Sequence, residues 1–451
     1  MNASSPLKRF PLIITLVLWL GGLVPLAQAA TPNEGAVALL VTRDAQGQEL
    51  STGSGFVVKP EGTLITNYHV LVDAASVDAV FPDGRIVPVE GIYKVDRRKD
   101  FAVLKLQKDF YSTLEIGNSA TLKDFDYAQA LGYLSQSLTH EGGKPRGTIL
   151  QTHGFVLGQH MQAYPDFPFI YTTAAFGPGF SGGPLLNLEN RVVGIATVEG
   201  RAINLALPID FIKPYLNESQ IQTVSQLLDE DKNSAEARYY RGNFSLYSQG
   251  DPDRAIAQFQ EVLKMNPNFA PAHYDLATAY RDKGMIPQSI AEYEKTLKIH
   301  PKFPEAMANL ASYYFRDGRT KESAALLENA IKIYPNFIQA HSNLGAILNK
   351  LERYDDAIEH LNRTLALDPE FEMAYFNLGN AQFAFNRLDE ARQSFEHAQN
   401  LGIDFLSLHW KLYEIHQRQG NLEEAKRELR IILEIDPENP EARQKLADLS
   451  R

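Results

Sequence analysis

The chain has 451 residues, too many for one ordinary core, and its 44% hydrophobic and 22% charged side chains fit a globular protein of two or three domains. The net charge of −11 lies mostly in residues 217–451, with 27 basic against 36 acidic side chains, which argues against nucleic acid and anionic membranes as partners. The absence of cysteine excludes disulfides, thiol catalysis and thiolate metal sites, so packing alone must hold the fold.

Residues 1–29 read as a signal peptide. Lys8 and Arg9 precede an apolar stretch over residues 10–24, and Ala27-Gln28-Ala29 offers small side chains at both positions a signal peptidase inspects. Cleavage after Ala29 and export to the periplasm or beyond are expected, with an uncleaved anchor as the alternative. Nothing later in the chain is long and apolar enough to span a membrane.

Residues 30–215 form a first domain of short strands. Runs rich in Val, Ile, Leu and Phe at 36–42, 53–58, 63–66, 76–81, 101–106, 127–132, 169–173, 191–197 and 202–207 are separated by Gly, Asp, Asn and Pro clusters. Such spacing predicts antiparallel barrels, and the length suits two of them side by side. After Pro208 the pattern turns helical, over 209–216 and 219–228. Residues 216–235 then read as a helical linker with a polar joint at 229–234, and 236–451 as an all-α array.

The array repeats every 34 residues. Pro267, Pro301, Pro335, Pro369, Ile403 and Pro437 form one column, and Gly250, Gly284, Gly318, Glu352, Asn386 and Gly420 a second. Ala255, Ser289, Ser323, Ala357, Ala391 and Ala425 form a third, and Phe269, Phe303, Phe337, Phe371 and Phe405 a fourth. The glycine column ends the first helix of each pair, where a left-handed residue is wanted. The small column lets paired helices approach, and proline stops the second helix. These columns resemble the tetratricopeptide repeat, a helix–turn–helix unit of this length, in about six copies plus a capping helix. Gly242 sits eight rather than seven positions before Gly250, so the first unit carries one extra residue. The fifth has Gly402-Ile403 in place of the proline, so its boundary should shift.

Three segments of the strand domain carry chemistry. Gly53-Ser54-Gly55-Phe56 leads to Thr66-Asn67-Tyr68-His69-Val70. Asp100 stands directly before Phe101-Ala102-Val103-Leu104. The third is Gly177-Pro178-Gly179-Phe180-Ser181-Gly182-Gly183-Pro184-Leu185. Singly, each has a plain structural explanation. Jointly, they supply a hydroxyl nucleophile, a base and an anion to orient that base, with glycines freeing backbone N–H groups to face an oxyanion.

The three segments resemble the chymotrypsin-fold serine proteases, most closely those of the Deg/HtrA type, over residues 36–215. The resemblance implies an all-β double barrel in which Ser181 is the nucleophile, His69 the general base and acid, and Asp100 the residue that fixes its tautomer. It implies the N–H groups of Gly179 and Ser181 as the oxyanion hole. Asp96 is the rival for the carboxylate role, but Asp100 directly precedes the strand. Gly179-Phe180-Ser181-Gly182-Gly183 also satisfies the nucleophile elbow of α/β-hydrolases, which needs a following helix where Pro184 stands instead.

Ala175, six residues before the serine, disfavours a Lys/Arg preference. Ile203, Asn204 and Leu205 resemble the strand lining the primary pocket in Deg-type enzymes, which implies small or medium aliphatic side chains in the substrate. Two departures matter. Phe180 replaces the aspartate that pairs with a newly cut N-terminus in tryptic zymogens, and the repeats stand where PDZ domains usually follow.

The sequence thus predicts a serine endopeptidase acting on proteins or peptides, without cofactor or metal. His153, His160 and His273 show no metal-ligand spacing. The array is expected to bind a substrate or partner protein on its concave face. There Asn309, Asn343, Asn377 and Asn380 could bond an extended peptide, or merely belong to the repeat consensus. The alternative function is a scaffold or chaperone-like binding protein whose protease fold cuts weakly or no longer cuts.

Overall fold

The structure, a computed structural model, describes residues 33–135, 139–141, 144–161, 167–198 and 204–450. The signal-peptide expectation and Ile203 therefore lie outside the described residues.

Two closed six-stranded barrels come first. β1 (Val37–Arg43), β2 (Glu49–Lys59), β3 (Thr63–Thr66), β4 (Ser76–Val80), β5 (Ile86–Asp96) and β6 (Phe101–Leu106) close in the order β1-β2-β3-β6-β5-β4. In the second barrel β7 (Tyr127–Tyr133), β10 (Ile149–Met161), β11 (Pro168–Thr172), β12 (Pro184–Leu186), β13 (Val192–Val198) and β14 (Asn204–Pro208) close as β10-β11-β14-β13-β12-β7. A hairpin of β8 (Thr139–Glu141) and β9 (Lys144–Arg146) stands apart. Successive side chains point to opposite faces of a strand. Ala38 and Leu40 of β1 thus join Val57 and Leu64 inside the first barrel. Val37, Leu39 and Val41 join a core shared with Leu131, Tyr133 and Leu157 of the second. β1 is buried on both faces, which is why it reads as an unbroken apolar run.

Two long strands are not evident from the sequence. β5 contains Pro88 and Gly91 and alternates irregularly between buried and exposed positions. β10 contains Gly154, where a Cβ would lie 2.2 Å from Ala174 N, so its glycine marks a close backbone approach rather than a turn. The helix expected over 209–216 is instead two short 3₁₀ turns, Ile209–Phe211 and Lys213–Tyr215, because Pro214 has no N–H to continue a helix.

The array opens with α1 (Val224–Asp231). Six pairs follow: α2 (Ala235–Asn243) with α3 (Pro252–Met265), α4 (Ala270–Asp282) with α5 (Ile286–Ile299), and α6 (Pro304–Arg316) with α7 (Thr320–Ile333). Next come α8 (Ile338–Lys350) with α9 (Tyr354–Leu367), α10 (Glu372–Ala384) with α11 (Leu388–Asn400), and α12 (Leu406–Gln419) with α13 (Leu422–Ile435), closed by α14 (Pro440–Asp448). All six residues of the small column are fully buried. Every member of the glycine column has a positive φ, from 57° to 79°, including Glu352 and Asn386. The extra residue of the first unit is absorbed by a π-helical turn, Phe244–Ser248. In the fifth unit α11 ends at Asn400, one residue early, and Gly402 takes φ 100°.

The array touches both barrels. Arg97 of the first bonds α1 through Asp231 at 2.7 Å. Tyr171 of the second packs on Tyr334 with ring centroids 4.2 Å apart, and Asn336 donates to Leu157 O at 2.5 Å.

Candidate active site

The seam between the barrels is where the three motif segments meet. His69 opens a short 3₁₀ turn just past β3, and its side chain is 28% exposed. Asp100 sits immediately before β6, 5% exposed, with φ of 59°. A left-handed aspartate is a costly conformation that survives only where its surroundings fix it. Here they do: Asp100 Oδ1 accepts from the His69 backbone N–H at 2.9 Å, and Oδ2 accepts from His69 Nδ1 at 2.7 Å. The buried Asn67 side chain donates to Asp100 O at 2.7 Å and to Thr197 Oγ1 at 3.1 Å, linking this pair to β13. Donating from Nδ1–H to Asp100 leaves Nε2 of His69 as the unprotonated nitrogen, able to accept a proton.

Asp96 is occupied otherwise. Its carboxylate accepts from the backbone N–H groups of Arg98 and Lys99, and from Lys99 Nζ at 2.9 Å, and so closes the turn before Asp100.

Ser181 lies half-buried in the turn before β12. Its carbonyl accepts from Ser54 N at 2.8 Å, which ties the turn to β2 of the other barrel. Within the turn Phe180 N–H donates to Gly177 O at 2.9 Å and Gly183 N–H to Phe180 O, while Gly182 N–H donates out of it to Ala196 O on β13. The N–H groups of Gly179 and Ser181 donate to no acceptor among the described residues. Glycine is required at two of these positions. Gly179 has φ of 103°, and a Cβ there would lie 2.4 Å from Tyr133 O. Gly182 has φ of 88°, and a Cβ would lie 2.1 Å from Ser54 O and 2.2 Å from Thr66 Oγ1. The serine turn is therefore pressed against the strand end that carries His69.

Ser54 is a site residue whose role the sequence does not disclose. It is fully buried, donates from Oγ to Gly179 O at 2.7 Å and accepts from Tyr133 N at 2.9 Å. It thus anchors the turn to the first barrel and to β7 of the second. The only sequence signal was its place between two glycines.

Of the residues expected to line a substrate pocket, Asn204 and Leu205 begin β14 and are buried, and Asn204 Nδ2 donates to Ala174 O at 3.1 Å. This bond holds β14 beside the exposed Ala175. In the array, Asn309 donates to the hydroxyls of Tyr274 and Tyr293, both at 3.2 Å, so it is spoken for by the repeats themselves. Asn343, Asn377 and Asn380 are half-buried, and their side chains bond no other described residue. His153 pairs with Tyr127 and His273 with Glu292. Among the described residues no cluster of three or more His, Cys, Asp or Glu is placed to hold a metal, and no helix is long and apolar enough to cross a membrane.

Comparison with known proteins falls into the same two parts. Residues 53–195 match the trypsin-like peptidase domain, and six stretches between residues 221 and 449 match tetratricopeptide repeats. The mitochondrial serine protease HTRA2 of Drosophila virilis is 35% identical over 173 residues, 38% of this chain and 40% of that protein. Its counterpart in Drosophila erecta is 34% identical over the same lengths. This chain thus spans only 40% of the length of these relatives. A solved structure of the HtrA-type protease AlgW with tripeptide is 26% identical, over 40% of this chain and 58% of that one, with a TM-score of 0.35. The chain joins an HtrA-like, trypsin-like peptidase domain of two closed barrels to a run of tetratricopeptide repeats.

Proposed function

We propose that this protein is a serine endopeptidase that cuts protein substrates, and that its repeats hold a substrate or partner protein. The observation that carries the reading is the doubly bonded His69–Asp100 pair, set beside a serine turn whose Gly179 and Ser181 N–H groups are unengaged.

In this mechanism His69 Nε2 takes the Ser181 proton as Oγ attacks the scissile carbonyl. Asp100 holds the Nδ1–H tautomer and stabilises the imidazolium that forms. The carbonyl oxygen becomes negative as the tetrahedral intermediate forms, and the Gly179 and Ser181 N–H groups donate to it. His69 then passes its proton to the leaving amine, and water repeats the sequence in reverse on the acyl-enzyme. Phe180 cannot pair with a freed N-terminal amine, so no activating cut through that salt bridge is needed. Ala175, Asn204 and Leu205 line a primary pocket without a carboxylate, which suits small or medium aliphatic side chains. We also propose export through the N-terminal segment.

The test is hydrolysis of an unfolded protein and of a peptide library, with Ser181→Ala as control. The wild type should cut, mainly after small or medium aliphatic residues, and the variant should lose about a millionfold in turnover. Equal activity in both would refute the nucleophile. Cleavage mainly after Lys, Arg or large aromatics would refute the pocket. Proteins that co-purify with Ser181→Ala and are cut by the wild type would identify substrates.

A further inference from the structure

The first two helices of the array, α1 and α2, grip the loop that carries His69. Tyr240, on α2, lays its ring along the His69 imidazole, with centroids 5.9 Å apart and planes 30° apart. Tyr240 is itself fixed: its hydroxyl donates to Arg97 O at 3.3 Å, and its ring meets that of Tyr68 edge-on at 5.6 Å. Tyr68, the residue before His69, is fully buried and donates to Asp231 Oδ2 at 2.7 Å. Burial, and then the Asp231 carboxylate, push its phenol far above the ordinary value, so Tyr68 remains a donor wherever the protein is folded. Asp231 is also fully buried and accepts from Arg97 Nε at 2.7 Å. Four residues beyond His69, the left-handed Asp73 receives a forked pair from Arg241, the neighbour of Tyr240, at 2.7 and 3.0 Å.

Helices α1 and α2 therefore hold residues on both sides of His69 and, through Arg97, the loop leading to Asp100. A buried ion pair of this kind contributes little net stability. What it supplies is geometry. Asp100 fixes the imidazole along one edge only, at Nδ1, and a ring held at one edge can still swing about that bond. A flat aromatic surface along its face removes that freedom.

We propose that Tyr240 is a positioning residue for catalysis, holding the His69 imidazole in the orientation from which it takes the Ser181 proton, so that the first repeat is part of the catalytic apparatus and not a separable tether. The proposal rests on the endopeptidase reading above. It also means that whatever strains the first repeat alters the rate at the barrels.

The test uses the full chain and a short chromogenic peptide that cannot reach along the array. Tyr240→Leu should lower kcat about tenfold while leaving KM within about twofold, the size of effect expected for one lost aromatic stack. Tyr240→Phe keeps the ring and should restore kcat to within about twofold. A merely structural role would lower thermal stability without separating kcat from KM. Tyr240→Met, which fills the space without a flat face, gives the same reading should the leucine variant not fold. An unchanged kcat in Tyr240→Leu would overturn the proposal, as would a faster one, which would show that the helix occludes the site. If the wild type and Ser181→Ala are equally inert, the endopeptidase reading fails and this proposal falls with it. A wild type that cuts, beside a Tyr240→Leu that cuts equally well, refutes this proposal alone.

Discussion

The barrels and the helical array place their critical residues by opposite rules. At the barrel seam, partners lie far apart in the chain: Ser54 meets Gly179 across 125 positions and Asn67 meets Thr197 across 130. Each contact is unique, so a single displaced atom has no substitute elsewhere. In the array the same short-range contact recurs. His273 bonds Glu292, His341 bonds His360 and His409 bonds Glu428, each across 19 positions and each at an alternate repeat. Away from the helices that touch the barrels, a defect there is confined to one unit and its neighbours, because those units lean only on one another. Non-local geometry makes a site sensitive, and repetition makes a platform tolerant.

The sharpest break with that contrast would come at Gly182. In Gly182→Ala the new Cβ collides with both Ser54 O and Thr66 Oγ1, shifting the serine turn relative to His69. Peptide hydrolysis should fall at least about a hundredfold, the effect of a misplacement on the order of 1 Å. Activity within a few-fold of the wild type would show that the seam is looser than its contacts indicate.

The equivalent insult in the array is Gly379→Ala, where the Cβ meets the Phe395 ring at 2.8 Å. A ring edge can yield, so the expected cost is about 1–3 kcal/mol of stability. Chemical denaturation should record that loss while hydrolysis of a short peptide stays unchanged.

The histidine pair offers a test by pH. Burial holds His341 and His360 below the usual histidine range, so the folded form binds fewer protons than the unfolded one. Their contribution is complete above the unfolded value of about 6.5 and is lost as pH falls through the lower folded values. His360→Glu places at this position the residue found at Glu292 and Glu428. It should remove that acid-side loss and raise stability by roughly 1 kcal/mol at pH 6. Thermal unfolding followed from pH 7.5 to 5 would check the sign.

The smallest effect is expected at Glu352, an exposed non-glycine residue with φ of 59° in the glycine column. Glu352→Gly should stabilise the fourth unit by up to about 1 kcal/mol, because the left-handed conformation strains any residue with a Cβ. A loss of stability would mean that the wider conformational freedom of glycine in the unfolded chain outweighs that relief.

These rules also decide what could be read from the sequence. The array was legible almost column by column, because repetition prints the same packing demand six times. Even the inserted residue near Gly242 was visible, though only the structure shows it as a π turn. What repetition hides is use: Asn309 shares its column with Asn343 and Asn377 but is consumed by two tyrosines. In the barrels, the three motif segments marked where the site would assemble. β5 and β10 escaped notice because irregular burial and interior glycines mask their alternation. Tyr240 and Asp231 could not be read at all. Asp231 meets Tyr68 across 163 positions, and no local pattern in the helices announces that their targets lie beside His69.

Covalent labelling of the full-length protein by a fluorophosphonate, with the adduct located by mass spectrometry, tests the central claim most directly. The wild type should carry the adduct on Ser181, and Asp100→Asn should label on the order of a thousandfold more slowly or worse, because the imidazole loses its tautomer. Absence of an adduct in the folded wild type, or labelling indifferent to Asp100, would contradict a serine activated through His69.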